Sequence, residues 1–371
     1  MKTIKIGNYT GTYSADQANT TYLLEDGKTI EGASFGAGIL VESAIEGRHI
    51  RVDGTVNASG SVQINTGADA ANAVTLTVGK SGTLSAVNYG VLSSGDGHVI
   101  VNEGEISSGY VGVNVGGSQT MINSGEIFAD MFGFLSSGGV GKTAILKNSG
   151  VISGGTSAIS GSDAVEKVTN TGEINGSVYL YGGDDLFVFR AGEVNGIVRG
   201  GTGDDTYVAH KAGLQVFEAV DSGTDTVRSS VSFGLGDNIE QLTLFGKGDI
   251  NGIGNSGAND LLGNAGRNLL SGGIGNDVLD GGKGKDMLIG GAGEDAFHFD
   301  RGTGKDRVMD FVAGMDEIHL NGLKGALYFA DMVENHVKQK GDDLWITYGT
   351  DIVVLKDTME AHLTASDFVF G

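Results

Sequence analysis

Gly254 to His298 divides without a gap into five nine-residue units, GNSGANDLL, GNAGRNLLS, GGIGNDVLD, GGKGKDMLI and GGAGEDAFH, starting at Gly254, Gly263, Gly272, Gly281 and Gly290. Each unit opens on Gly, has Gly again at its fourth position, Asn or Asp at its sixth, and an apolar residue at its eighth. Glycines at positions one, two and four give access to positive φ, so six residues can form a tight turn with inward-pointing carbonyls. The eighth side chain then falls on a very short strand and points into a core. The sixth-position carboxylates Asp277, Asp286 and Asp295 stand beside those carbonyls, and an all-oxygen cage suits a hard cation such as calcium. A flexible glycine-rich linker has a similar composition, but it needs neither a fixed phase nor an apolar eighth position.

The run resembles the calcium-binding nonapeptide repeats of secreted RTX proteins. That resemblance implies a parallel β-roll with two nonapeptides per turn and each ion held between loops one full turn apart. By position it sets Asn259 against Asp277, Asn268 against Asp286, and Asp277 against Asp295. The implied metal-binding positions are the acids at position six together with Gly272, Gly273, Gly275, Gly281, Gly282, Gly284, Gly290, Gly291 and Gly293. Asparagine replaces aspartate at Asn259 and Asn268, so sites that use them are expected to be weaker or absent.

Composition agrees with a solenoid of strands and turns. The 371 residues include 66 glycines, far above the roughly 7% of ordinary usage, and no proline, which excludes collagen. With no cysteine, the fold has no disulfide or thiolate chemistry to draw on, which leaves packing or a metal as the staple. A net charge of -22 opposes binding to nucleic acid or anionic membranes and supplies carboxylates for cations. Met1 to Tyr13 lacks the apolar run of a cleaved signal peptide, and no segment approaches the roughly eighteen apolar residues of a membrane span.

A longer period precedes the nonapeptides. Asn-x-Gly-x-Ile recurs at Asn102–Ile106, Asn123–Ile127, Asn148–Ile152 and Asn170–Ile174, at spacings of 21, 25 and 22 residues. Short apolar runs between Gly, Asn and Ser turns at this period are expected of a right-handed parallel β-helix, resembling autotransported bacterial β-helices. Ile106, Ile127, Ile152 and Ile174 should form one inward stack, and the four asparagines a structural ladder at a turn. The expected organisation is therefore all-β: a parallel β-helix over 1–175, a calcium-binding β-roll over 176–298, and a C-terminal cap over 299–371. Within the second region GGTGDDTYV from Gly200 fits a complete nonapeptide with Asp205 at position six, and Asp184, Asp185 and Asp204 are candidate further ligands or, equally, solvated turn acids. Phe217 and Phe233 are expected to fill core.

After His298 the chain is richer in charge and aromatics. A short helix is expected over Tyr328–Lys338, then a hairpin from DLWITYG and DIVVLKD. This stretch resembles the C-terminal region of serralysin-type proteins, and its end, Ser366 to Gly371, resembles their signal for export through a type I ABC apparatus. The resemblance implies an extracellular protein that folds on meeting calcium.

Enzyme motifs are weak. The seven histidines never come within four residues of each other, which excludes an HExxH zinc site, and a chain without proline cannot contain the Asp-Pro-His motif of alginate epimerases. Gly32-Ala33-Ser34-Phe35-Gly36 mimics a hydrolase elbow and Gly138 to Thr143 the end of a P-loop, both without the required context. The expected function is thus non-enzymatic surface binding: adhesion, matrix or cell-envelope association, contact with extracellular polysaccharide, or self-assembly. The alternative is a polysaccharide lyase or hydrolase using groove residues such as Asp130, Lys142, Arg48 and Arg51.

Overall fold

The computed structural model describes residues 2–32, 38–41, 47–65, 72–321 and 329–371. Ala33 to Gly36 of the elbow-like phrase and Tyr328 lie outside them. The chain forms two compact units, Met1–Asp205 and Thr206–Gly371.

Unit 1 is a parallel β-helix with three sheets, each coil giving one strand to each. One coil consists of Val99–Asn102, Glu105–Ser108 and Val111–Gly116, and the next of Gln119–Asn123, Glu126–Ala129 and Phe132–Ser136. Equivalent residues pair directly: Ile100 with Met121, Ile106 with Ile127, and Val113 with Phe134. Buried stacks therefore run through the unit, including Ile106, Ile127, Ile152 and Ile174. Branched and aromatic side chains favour such pleated, half-buried surfaces.

The 25-residue spacing is explained by residues 137–142, which widen one turn between Phe132–Ser136 and Thr143–Asn148. The P-loop mimic sits in this bulge, is followed by a strand, and leaves Val140 87% exposed. The glycine of each Asn-x-Gly-x-Ile phrase is needed for close approach. A Cβ on Gly125 would collide with the carbonyl of Gly104, and one on Gly150 with that of Gly125.

The asparagines form the expected ladder. Asn102 Nδ2 donates to Asn123 Oδ1, Asn123 to Asn148 and Asn148 to Asn170, each at 2.8 Å. The same amides also donate to main-chain carbonyls of their own or the next coil, such as Glu126, Val151 and Glu173. All four residues are buried.

Unit 2 is a two-sided parallel roll. One side runs through Asp260–Leu262, Val278–Asp280, Ala296–Phe299 and Glu317–Leu320; the other through Leu269–Ile274, Met287–Ala292 and Lys305–Val308. Residues eighteen apart pair, as in Leu261 with Leu279 and Leu270 with Leu288, so two nonapeptides make one turn. Every eighth-position side chain, Leu261, Leu270, Leu279, Leu288 and Phe297, is completely buried.

The C-terminal hairpin pairs Asp343–Tyr348 antiparallel with Asp351–Leu355. The helix covers Phe329–His336 and stops short of Lys338, because Val337–Lys340 is a third antiparallel strand on that hairpin. Phe217 does not fill core: it is 37% exposed, and its neighbours Leu214 and Val216 take the inward positions. No helix among the described residues is long and apolar enough to cross a membrane.

Candidate metal centre

The sixth positions of the nonapeptides stack on one another through their carboxylates. Asp277 Oδ1 accepts the N–H of Asn259 at 2.8 Å, and the N–H of Asp277 donates to Asp295 Oδ1 at 2.9 Å. A second row joins the N–H of Asn268 to Asp286 Oδ1 at 2.8 Å. These are the pairings expected for loops one turn apart.

Both rows run beyond His298. Asp295 donates its N–H to Asp316 Oδ1 at 3.1 Å, and Asp286 donates to Asp306 Oδ1 at 2.9 Å. Neither Asp306 nor Asp316 was among the acids expected from the nonapeptides, although Gly302-Thr303-Gly304-Lys305-Asp306 repeats the Gly-x-Gly-x-Asp core. Asp310 also enters the region, accepting the N–H groups of Gly290 and Gly291 at 3.0 Å each.

Each hydrogen bond uses one carboxylate oxygen. The second oxygens of Asp277, Asp286 and Asp306 are buried and, among the described residues, meet no hydrogen-bond donor. A buried acceptor without a donor is costly, and a buried charge without a partner costs more. Burial accordingly pushes the carboxyl groups of Asp277 and Asp286 up to about 6 and that of Asp306 to about 7, against the opposing effect of the N–H bonds. Asp295 is raised by burial too. Among the described residues the groups acting on these acids are other carboxylates, the Thr303 hydroxyl and main-chain N–H groups, and such an oxygen-rich setting fits a calcium ion.

The glycine loops fit the same purpose with one change. In the three units that open Gly-Gly, positions two and four take positive φ: 119° and 120° at Gly273 and Gly275, 109° and 145° at Gly291 and Gly293, with Gly282 and Gly284 likewise. Position one does not. Gly272, Gly281 and Gly290 are instead required because the carboxylate of their own unit, Asp277, Asp286 or Asp295, lies where a Cβ would stand.

Asn259 and Asn268 satisfy themselves. Asn259 Oδ1 accepts the N–H of Asn255 at 2.7 Å while its Nδ2 donates to the carbonyl of Ile239 at 2.9 Å. Asn268 does the same with Asn264 and Ile250. An amide supplies its own donor where a carboxylate needs a cation.

In unit 1, Asp205 repeats the arrangement: it is buried and its Oδ1 accepts the N–H of Asp185 at 2.8 Å, beside Gly201 and Gly203 at φ 113° and 123°. Asp184 and Asp204 face solvent, joined by the N–H of Asp204 to Asp184 Oδ1. Three of the groove candidates for sugar chemistry have partners elsewhere. Arg48 is buried and donates to the carbonyl of Ala15, while Arg51 pairs with Asp53 and Lys142 with Asp96.

Comparison with known proteins supports this reading. The family model of the RTX calcium-binding nonapeptide repeat matches residues 253–288 and 272–305, in four copies. No curated protein matches by sequence. Among solved structures, the AlgE6R3 subunit of the Azotobacter vinelandii mannuronan C5-epimerase is 30% identical, with 33% of this chain and 78% of that one covered and a TM-score of 0.28. The extracellular lipase LipA of Serratia marcescens is 17% identical, with a TM-score of 0.25; 62% of this chain and 40% of the lipase are covered.

Proposed function

Since this chain is a β-solenoid carrying RTX calcium-binding nonapeptide repeats, we propose that it is secreted unfolded or partly folded, orders its roll on extracellular calcium, and then acts by surface binding rather than catalysis. The observation that carries the calcium step is that, within the two carboxylate rows, the second oxygens of Asp277, Asp286 and Asp306 are buried and, among the described residues, without donors. A fold that contains such groups forms readily only when a cation joins them, so binding free energy becomes folding free energy. At calcium one hundredfold above its dissociation constant, one site adds about 2.7 kcal/mol. Several such sites are comparable to the whole stability of an ordinary domain, about 5–15 kcal/mol.

The ligands under this proposal are Asp277, Asp286 and Asp295 with the loop carbonyls around them, extended by Asp306 and Asp316, and Asp205 in unit 1. The C-terminal residues 299–371 are proposed to address the chain to a type I ABC apparatus. Unit 1 then presents the binding surface, for cell-envelope or extracellular polysaccharide, or for further copies of the chain.

Two experiments test the reading. Calcium titration of the EDTA-treated chain, followed by circular dichroism and calorimetry, should give a cooperative gain of β signal with several ions bound; no binding at millimolar calcium refutes it. Incubation with bacterial surface polysaccharides should give calcium-dependent retention without change in polymer length. Chain cleavage or new unsaturated ends would replace surface binding with the lyase or hydrolase alternative.

A further inference from the structure

Unit 1 holds a second set of oxygens that belongs to no complete nonapeptide. Glu166, on Val165–Asn170, and Asp185, just ahead of Leu186–Phe189, are 1% and 2% exposed. The N–H of Glu166 donates to Asp185 Oδ1 at 2.6 Å, and Ser162 Oγ donates to Glu166 Oε1 at 3.1 Å. Ser162 Oγ is itself 3.2 Å from Ser136 Oγ. That leaves Glu166 Oε2 and Asp185 Oδ2, both buried and, among the described residues, without a hydrogen-bond donor. The two carboxyl groups act directly on one another, and the other groups acting on them are serine hydroxyls, a main-chain N–H and Asp205.

Two carboxylates facing each other beside the buried Val168 and Phe187 need a positive species between them. The surrounding atoms are oxygens, with no nitrogen or sulfur ligand among the side chains named, which selects a hard cation over a transition metal. The hydroxyl of Ser162, itself in contact with that of Ser136, adds neutral oxygen beside Glu166. Gly183, at φ 107°, lets the chain pass so close to the carbonyl of Ala164 that a side chain there would collide with it.

We propose that Glu166 and Asp185, supported by Ser136 and Ser162, hold a calcium ion inside the β-helix, one coil before the Asp205 loop to which Asp185 donates its N–H. It needs no Gly-x-Gly-x-Asp loop before Glu166, where the sequence reads Ser160-Gly161-Ser162-Asp163-Ala164-Val165. Such an ion clips consecutive coils of unit 1 together, and its occupancy does not depend on whether the roll binds calcium.

The test is calcium counting by equilibrium dialysis on the full chain, with Glu166→Gln beside the unsubstituted protein. The expected result is one ion fewer per chain, with the calcium-induced ordering of residues 278–299 unchanged and a smaller calcium-induced rise in the melting temperature of unit 1. An unchanged ion count, with stability in EDTA equal or higher, means that a shared proton holds the pair and overturns the proposal. If Glu166→Gln does not fold, Asp185→Asn is read in the same way. If neither folds, the infrared spectrum of the intact calcium-loaded chain decides. A buried carboxylic-acid carbonyl band that survives saturating calcium overturns the site, and its disappearance on loading supports it.

Discussion

The asparagine ladder of unit 1 and the aspartate rows of unit 2 solve the same stacking problem with side chains that differ by one atom. Both sit at a turn, both are buried, and both link residues one coil apart. The amide carries donor and acceptor together, so Asn123 receives a bond from Asn102 and gives one to Asn148 with no outside help. The carboxylate has acceptors only, so Asp277 receives the N–H of Asn259 and is left with a second oxygen that no donor among the described residues satisfies. Apart from Asn102 Oδ1 at its end, which has no hydrogen-bond partner among the described residues, one ladder closes on itself when the chain folds; the other, under the function proposed above, is completed by calcium.

The largest expected contrast comes from removing the metal. In EDTA at neutral pH the roll around residues 254–320 should unfold while the coils around Asn102–Asn170 keep their structure, as two separate transitions in calorimetry. A single transition with and without calcium would break the distinction. Next comes the exchange of chemistry between ladders. Asn148→Asp places an acceptor opposite Asn170 Oδ1 and withdraws the donor that also serves the carbonyls of Gly150 and Glu173. The expected loss is about 3–5 kcal/mol, the scale of a buried charge left without its partner, read from denaturant unfolding of unit 1.

The reverse exchange is gentler. Asp277→Asn should abolish calcium binding at the sites it touches yet stabilise the calcium-free roll by about 1–3 kcal/mol, by removing an unsatisfied buried group. Asp277→Ala should weaken calcium-induced folding more than Asp205→Ala, because Asp277 joins the turns of Asn259 and Asp295 within the roll, while Asp205 lies in unit 1, whose coils are held by apolar stacks and the amide ladder. Equal midpoints in the two titrations would contradict the stacking.

The pH response is smaller and changes sign with the metal. Burial raises Asp277 and Asp286 to about 6 and Asp306 to about 7, from an ordinary value of 3.8. Protonation is then more favourable in the folded state, so without calcium the roll is most stable below about pH 4 and loses stability as pH rises through 6 to 7. With calcium bound the carboxylates must be ionised, and protons compete with the ion; stability should then fall as pH drops through the same range. Melting temperatures against pH in EDTA and in calcium should cross.

Much of this was legible from spacing alone. A nine-residue phase with an apolar eighth position leads to Leu261, Leu279 and Phe297 in one stack, and the Asn-x-Gly-x-Ile phrase leads to the isoleucine stack and its amide ladder, because a solenoid converts period directly into contact. What escaped the repeat was what left its phase. Asp306 and Asp316 sit twenty and twenty-one residues beyond their partners instead of eighteen, so they fall outside the nonapeptide count while the turn geometry still delivers them. Glu166 gives no motif at all; only the stacked coils show that it faces Asp185. The first glycine of each unit was read as a conformational requirement, but it answers to the carboxylate packed over it, a contact that needs coordinates.

The most direct test of the central claim is segment-resolved hydrogen exchange of the full chain in EDTA and in saturating calcium. The account predicts that amides of Val278–Asp280 and Ala296–Phe299 are protected only with calcium, while those of Gln119–Asn123 and Thr143–Asn148 are protected in both. Protection of both regions without calcium, or loss of both together, would contradict it.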